Sequence, residues 1–150
     1  MKILMVCLGN ICRSPLAEGI LKHKAQQHDL EWEIDSAGTG AWHIGELPDR
    51  RSIAKAKEYG INITDQRARQ LRPEDLSYFD LILTMDESNY RNALHLANSK
   101  EEEAKVKMIM DYVAPGERID VPDPYWDDDG FEQVYRMLDR ACGVIVEQYK

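Results

Sequence analysis

The chain has 150 residues, 43% hydrophobic and 31% charged, which is enough for one domain with a buried core and excludes a fibrous or disordered polymer. A formal charge of −8 argues against nucleic acid and anionic membrane as bulk partners, since both need a positive surface to displace counterions. No stretch approaches the roughly 18 apolar residues of a membrane helix, and three cysteines are too few, and odd in number, for a secreted disulfide framework, so a reducing, cytoplasmic setting is expected.

The opening run Lys2–Leu8 is apolar and of strand length, the pattern of a strand buried on both faces. Gly9, Asn10 and Arg13 interrupt it too early for a secretory signal. Ser14-Pro15 reads as N-cap and first helical position, because a serine oxygen accepts from a free helix N–H and proline has none to leave unpaired. Leu16, Ala17, Ile20 and Leu21 give that helix one apolar face, running to about His28. A second strand from Trp32 to about Gly38 leads into the glycine-rich loop Gly38–Gly45.

A helix follows from about Asp49 to Tyr59, with Gly60 as its C′ residue. After a short segment near Arg72–Ser77, Phe79–Met85 is a third strand, and Asp86-Glu-Ser-Asn89 opens another helix. Glu101-Glu-Glu103 reads only as a solvated charge run. Val106–Met110 is a fourth strand. The final segment, about Asp128 to Gln148, places Phe131, Val134, Met137, Leu138, Ala141, Cys142 and Ile145 at helical spacing. Tyr112–Asp127 is a loop longer than a bare connection needs, which makes it a candidate functional loop. Alternation of strands and helices gives the expected fold: α/β, a single three-layer domain over residues 1–150, with a four-stranded parallel sheet and helices on both faces, flavodoxin-like. In such sheets ligands sit beyond the carboxyl ends of the strands, where strand order reverses.

The stretch Val6-Cys-Leu-Gly-Asn-Ile-Cys-Arg-Ser-Pro15 occupies that position. It lacks the Lys-Ser/Thr pair of a nucleotide-binding P-loop, and Cys7 and Cys12 lack two further ligands for zinc. Its parts suit a tetrahedral anion: Gly9 for a tight turn, a helix N-terminus, and Arg13 as a planar fork for two oxygens. A helix N-terminus and a nearby cation also favour a thiolate over a thiol, so nucleophile and anion cradle can be one device. Cys12 has two readings, as structural filler or as the partner that captures an oxidised Cys7 in a reversible disulfide. Cys142 reads as core. The four histidines show no ligand spacing; His43 lies beside Trp42 near the candidate site.

Cys7-x4-Cys12-Arg13-Ser14 resembles the phosphate loop of the low-molecular-weight protein tyrosine phosphatases. Asp35-Ser-Ala-Gly-Thr39, Ala68-Arg-Gln70, Met85-Asp-Glu-Ser-Asn89 and Asp123-Pro-Tyr125 match in the same order across nearly the whole chain. The resemblance implies hydrolysis of phosphotyrosine and small aryl phosphates through a phosphocysteine on Cys7. Arg13 would bind the phosphoryl oxygens and Asp123 would act as general acid and base, without metal or other cofactor. Leu8, Gly9, Asn10, Ile11, Cys12 and Ser14 would line or shape the phosphate site, with Ser14 donating to the Cys7 sulfur and Asn10 bracing the loop beside Ser36. Trp42, Tyr125 and Trp126 would wall the cleft, and inorganic phosphate or other oxyanions would compete. The chain departs from many animal members at Gln66, where they carry His, and at Trp126, where they carry Tyr. An arsenate reductase on the same fold is the first rival; it is disfavoured because the only later cysteine, Cys142, falls on a buried helix. The second, a non-catalytic phosphopeptide binder, would have no use for Asp123.

Overall fold

The structure, a computed structural model, describes residues 1–150. β1 (Lys2–Cys7) lies between β2 (Glu33–Gly38) and β3 (Leu81–Thr84), with β4 (Val106–Met108) beyond β3; the order is β2-β1-β3-β4 and every pairing is parallel. The strand period of two sorts side chains between the faces. Ile3, Met5, Cys7, Leu81 and Leu83 face one core with α1 (Arg13–Gln27), α2 (Arg50–Glu58) and the final helix α6 (Phe131–Tyr149). Leu4, Val6, Ile82 and Val106 face a second core with α3 (Pro73–Tyr78) and α4 (Glu87–His95). Burial on both faces is why β1 reads as an unbroken apolar run. The expected three-layer fold is the observed one.

Three details depart from the sequence reading. First, α1 begins at Arg13, so Ser14 is not its N-cap; the cap position is Cys12, and no side chain bonds there. Ser14 is drawn inward because its hydroxyl is engaged by Cys7 and Asn10. Pro15 is still accommodated, as the first helical turn has no partners for its N–H groups anyway. Second, the acidic run at 101–103 is helical: α5 (Lys100–Lys105) is capped by Ser99 Oγ, which accepts from Glu102 N–H at 3.1 Å, and its glutamates suit the positive end of the helix dipole. Third, β4 ends at Met108, and a 3₁₀ turn over Ile109–Tyr112 starts the long loop.

β1 is the switch point, since the chain leaves it towards β2 on one side and later returns to β3 on the other. The loop after β1 therefore sits in the crevice at the sheet's carboxyl edge. Gly38 lets β2 end against it, because a Cβ there would meet the Leu8 carbonyl oxygen at 2.7 Å.

Candidate active site

Cys7 ends β1 with its sulfur buried. The Ser14 hydroxyl lies 3.0 Å from Sγ and the Asn10 backbone N–H donates to it at 3.3 Å. The proton inventory orients the first contact: the Asn10 amide donates to Ser14 Oγ at 2.8 Å, which leaves the hydroxyl proton for the sulfur. The second amide proton goes to Ser36 Oγ at 3.0 Å, and Ser36 donates to Glu18 Oε1 at 2.6 Å. Asn10 Oδ1 accepts from Arg69 N–H. Asn10, not Gly9, takes the left-handed conformation of the loop, at φ 56°. Asparagine tolerates that region, and here three side-chain bonds hold it there. The absent side chain of Gly9 instead leaves room for His43, whose ring would lie 3.2 Å from a Cβ.

Arg13, also buried, is held at one end only. Its Nη1 donates to Asp86 Oδ2 at 2.7 Å and to the Val121 carbonyl at 2.9 Å, while Nε and Nη2 make no hydrogen bond within the chain. Asp86 does two jobs, since its other oxygen caps α4 by accepting from Asn89 N–H. Burial opposes the Arg13 charge, but the Cys7 sulfur and Asp86 outweigh it and raise the guanidinium above its ordinary pKa. The free edge of Arg13 reaches towards Asp123, whose Oδ2 is 3.7 Å from Nη2. Backbone N–H groups of Leu8, Gly9, Ile11 and Cys12 likewise have no partner in the chain. Donors left over in this way at a helix start form an anion site in waiting.

These groups open on one cavity of about 300 Å³, lined by Cys7, Leu8, Gly9, Ile11, Cys12, Arg13, Trp42, His43, Asp123, Tyr125 and Trp126. The expected site residues thus divide into two sets. Asn10, Ser14 and Ser36 stand behind the loop with their side chains buried, and the remainder face the cavity. Tyr125 and Trp126 meet edge to face at 4.8 Å between centroids, but Trp126 is 86% exposed and forms rim more than wall. His43 Nδ1 sits 3.0 Å from Glu46 Oε2 and its ring faces Tyr125 at 6.3 Å. Cys12 is buried and its thiol is pushed up to about 12 by burial first, then by Asp49 and Cys7. It therefore stays protonated at neutral pH. Gln66, the departure noted in the sequence, donates to the Pro15 carbonyl at 3.1 Å.

Several contributors were invisible in the sequence. Asp86 was legible as a helix cap but not as the anchor of Arg13. Glu18, which no local signal sets apart, is the buried acceptor at the end of the Ser36 chain, paired with Lys22 at 2.6 Å, and burial raises its pKa against the pull of Lys22 and Ser36. Arg69 was matched only as part of a motif; it joins the loop, through its N–H, to Asp75 and Asp35 through its guanidinium.

Comparison with known proteins decides which cysteine-and-arginine loop this is. The family model described as low molecular weight phosphotyrosine protein phosphatase matches residues 2–150. The chain belongs to that family. The pig (Sus scrofa) low molecular weight phosphotyrosine protein phosphatase is 38% identical over 152 residues, covering 99% of this chain and 95% of its own. A crystal structure of a protein tyrosine phosphatase from Entamoeba histolytica, with Hepes in its active site, superposes with a TM-score of 0.92 at 35% identity over 99% of this chain and 96% of that one. The Drosophila arginine phosphatase DARP also superposes, at TM-score 0.93 and 34% identity, covering 100% and 98% of the two chains. Members of this family are named as phosphatases, and the chain carries their fold from end to end.

Proposed function

We propose that the protein hydrolyses phosphotyrosine through a phosphocysteine on Cys7. The observation that carries this reading is the convergence on one cavity of the Cys7 sulfur, the free edge of Arg13, the unpaired loop N–H groups and the Asp123 carboxyl. In the first step the Cys7 thiolate attacks phosphorus and the bond to the tyrosyl oxygen breaks, while Asp123 hands its proton to that oxygen. Arg13 Nε and Nη2 and the N–H groups of Leu8, Gly9, Ile11 and Cys12 bind the three non-bridging oxygens, where charge is greatest in the transition state. In the second step Asp123 takes a proton from water, the water oxygen attacks phosphorus, and the sulfur–phosphorus bond breaks to return the thiolate and phosphate. The Ser14 hydroxyl stabilises the sulfur in both steps, and Asn10 with Ser36 keeps the loop in shape. No step calls for a metal or cofactor.

Trp42 and Tyr125 suit a flat aryl group, with stacking worth about 0.5–1.5 kcal/mol beyond the buried area. Inorganic phosphate and other oxyanions fit the same donors and would compete. No helix is long and apolar enough to cross a membrane; three unpaired cysteines suit a cytoplasmic setting. Because DARP, with the same fold, is an arginine phosphatase, the test assays a phosphotyrosyl and a phosphoarginyl peptide side by side. Turnover of the tyrosyl peptide, lost by more than about a thousandfold in Cys7→Ser, is the expected result. Preference for the arginyl peptide would overturn the substrate reading, and turnover persisting in Cys7→Ser would overturn the nucleophile.

A further inference from the structure

The acid-bearing segment is anchored on both sides of Asp123. Upstream, Val121 donates its N–H to the Met85 carbonyl at 2.8 Å and gives its own carbonyl to Arg13. Downstream, the anchor is Arg51, in the first turn of α2. Its Nη2 donates to the Tyr125 carbonyl at 3.0 Å and its Nη1 to Asp128 Oδ1, while Nε and Nη2 grip both oxygens of Asp49 at 2.9 Å. The guanidinium carbon lies 4.8 Å from the Phe131 ring centroid and 5.6 Å from that of Tyr125. Tyr125 is thereby held from two directions, because its N–H donates to Asp123 Oδ1 at 3.1 Å.

The same turn of α2 grips the nucleophile loop. Asp49 N–H donates to the Ile11 carbonyl at 2.8 Å, and Ser52 Oγ to the Cys12 carbonyl at 3.3 Å. Asp49 caps α2 through Arg51 N–H, so the residue that fixes the Arg51 fork also touches the phosphate loop. The fork carboxylate is stabilised as an anion, its pKa lowered chiefly by the Arg51 side chain. Partly exposed ion pairs contribute little to stability, so a purely stabilising role accounts poorly for a guanidinium whose four nitrogen-to-oxygen contacts join Asp49, itself bonded to the phosphate loop, to the acid-bearing segment.

We propose that Arg51 is a positioning residue for the reaction: it is the strut that sets the Asp123–Tyr125 segment at a fixed separation from the Cys7 loop, so that the carboxyl meets the leaving oxygen. The inference rests on the acid role given to Asp123 above. A lysine lacks the planar fork that spans Asp49, Asp128 and the Tyr125 carbonyl together, and a displacement of about 1 Å at a reacting group costs up to about a hundredfold in rate.

The test measures kcat/KM against the pKa of the leaving phenol for wild type, Arg51→Ala, Arg51→Lys, Asp123→Ala and the Arg51→Ala/Asp123→Ala double variant, with thermal melts to confirm folding. In wild type the leaving oxygen is protonated as it departs and the slope is shallow. Arg51→Ala is expected to steepen it, losing about 10- to 100-fold on phenyl phosphate and under about threefold on 2,4-dinitrophenyl phosphate. Arg51→Lys should fall between, and it carries the same comparison if the alanine variant does not fold. The double variant should be no steeper than Asp123→Ala alone. A wild-type slope in both Arg51 variants would overturn the proposal, as would a double variant that loses both factors in full. A shallow slope in Asp123→Ala would instead remove the acid assignment itself, and the strut with it.

Discussion

The loop from Cys7 to Ser14 turns its polar side chains inward: Asn10, Arg13 and Ser14 are buried, and each finds partners on β2, α1 or α4 or behind the loop itself. The segment from Val121 to Asp128 is built the opposite way. Asp123, Trp126, Asp127 and Asp128 are exposed, the backbone runs through two short 3₁₀ turns, and contact with the body of the protein is made through Val121 at one end and, at the other, through Pro124, the Arg51 contacts and the Tyr125 ring packed on Ile11, Cys12, Ala68 and Phe131. A thiolate with its anion donors needs fixed geometry, and a dense buried network supplies it. An acid that serves first the leaving group and then a water needs access to solvent as well as position, which an exposed strip pinned at its ends provides. Under the proposed mechanism, the difference matches rigidity to bond formation at phosphorus and accessibility to proton transfer.

The comparison can be broken at either loop. The largest effect belongs to Asp123→Ala, which should lower kcat/KM on phenyl phosphate by about 10²- to 10⁴-fold and on dinitrophenyl phosphate far less. It should leave the melting temperature near wild type, because Asp123 caps only a three-residue turn. Asn10→Ala should do the reverse in kind. It removes both amide donors to Ser14 and Ser36 and the acceptor for Arg69, at a cost of about 2 kcal/mol or more for the groups left buried. A lowered thermal midpoint with slower turnover of every aryl phosphate alike is expected; a loss confined to poor leaving groups would show that the two loops are not separable in this way.

Cys12 sharpens the comparison on the redox side. Peroxide converts Cys7 to a sulfenic acid, and the neutral Cys12 thiol, lining the same cavity, would condense with it to a disulfide and water. Oxidised wild type should recover most of its activity with a thiol reductant, and Cys12→Ser much less. Equal recovery would leave Cys12 as filler. The smallest effect lies outside both loops, where Glu132 joins α6 to α2 through Lys55 and Tyr59 and also holds Arg136. Those partners lower its pKa from 4.5 to about 2. A carboxylate depressed in the folded state stabilises above its unfolded pKa and loses that contribution as the pH falls from about 4.5 towards about 2. The drop in melting temperature between pH 7 and pH 3 should therefore be slightly smaller in Glu132→Gln than in wild type.

What the sequence made legible follows the range of each signal. β1 declared itself because burial on both faces leaves no polar alternation, and α2 because Asp49 and Gly60 cap it with local chemistry, Gly60 at φ 79°. Cys7, Arg13 and Asp123 emerged from a motif together with a resemblance. Ser14 misled because its local signal, serine before proline, was overridden by a tertiary one, the buried sulfur that takes its hydroxyl. Asp86 to Arg13 and Arg51 to Tyr125 span 73 and 74 residues, and nothing within a window of one or two turns marks either pairing. The Glu18 chain was hidden because a buried carboxylate looks, in sequence, like any helix-surface glutamate.

The central claim is that Cys7 carries the phosphoryl group between two proton transfers by Asp123. The most direct measurement is a rapid acid quench of enzyme mixed with phosphotyrosyl peptide, followed by intact-mass and fragment analysis. The account predicts a mass increase of one phosphoryl group located on Cys7, larger in Asp123→Ala when the substrate has a good leaving group, since the phosphocysteine then forms readily and water attacks it slowly. Turnover with no phosphorylated Cys7 under any quench time, or a phosphoryl group on another residue, would contradict it.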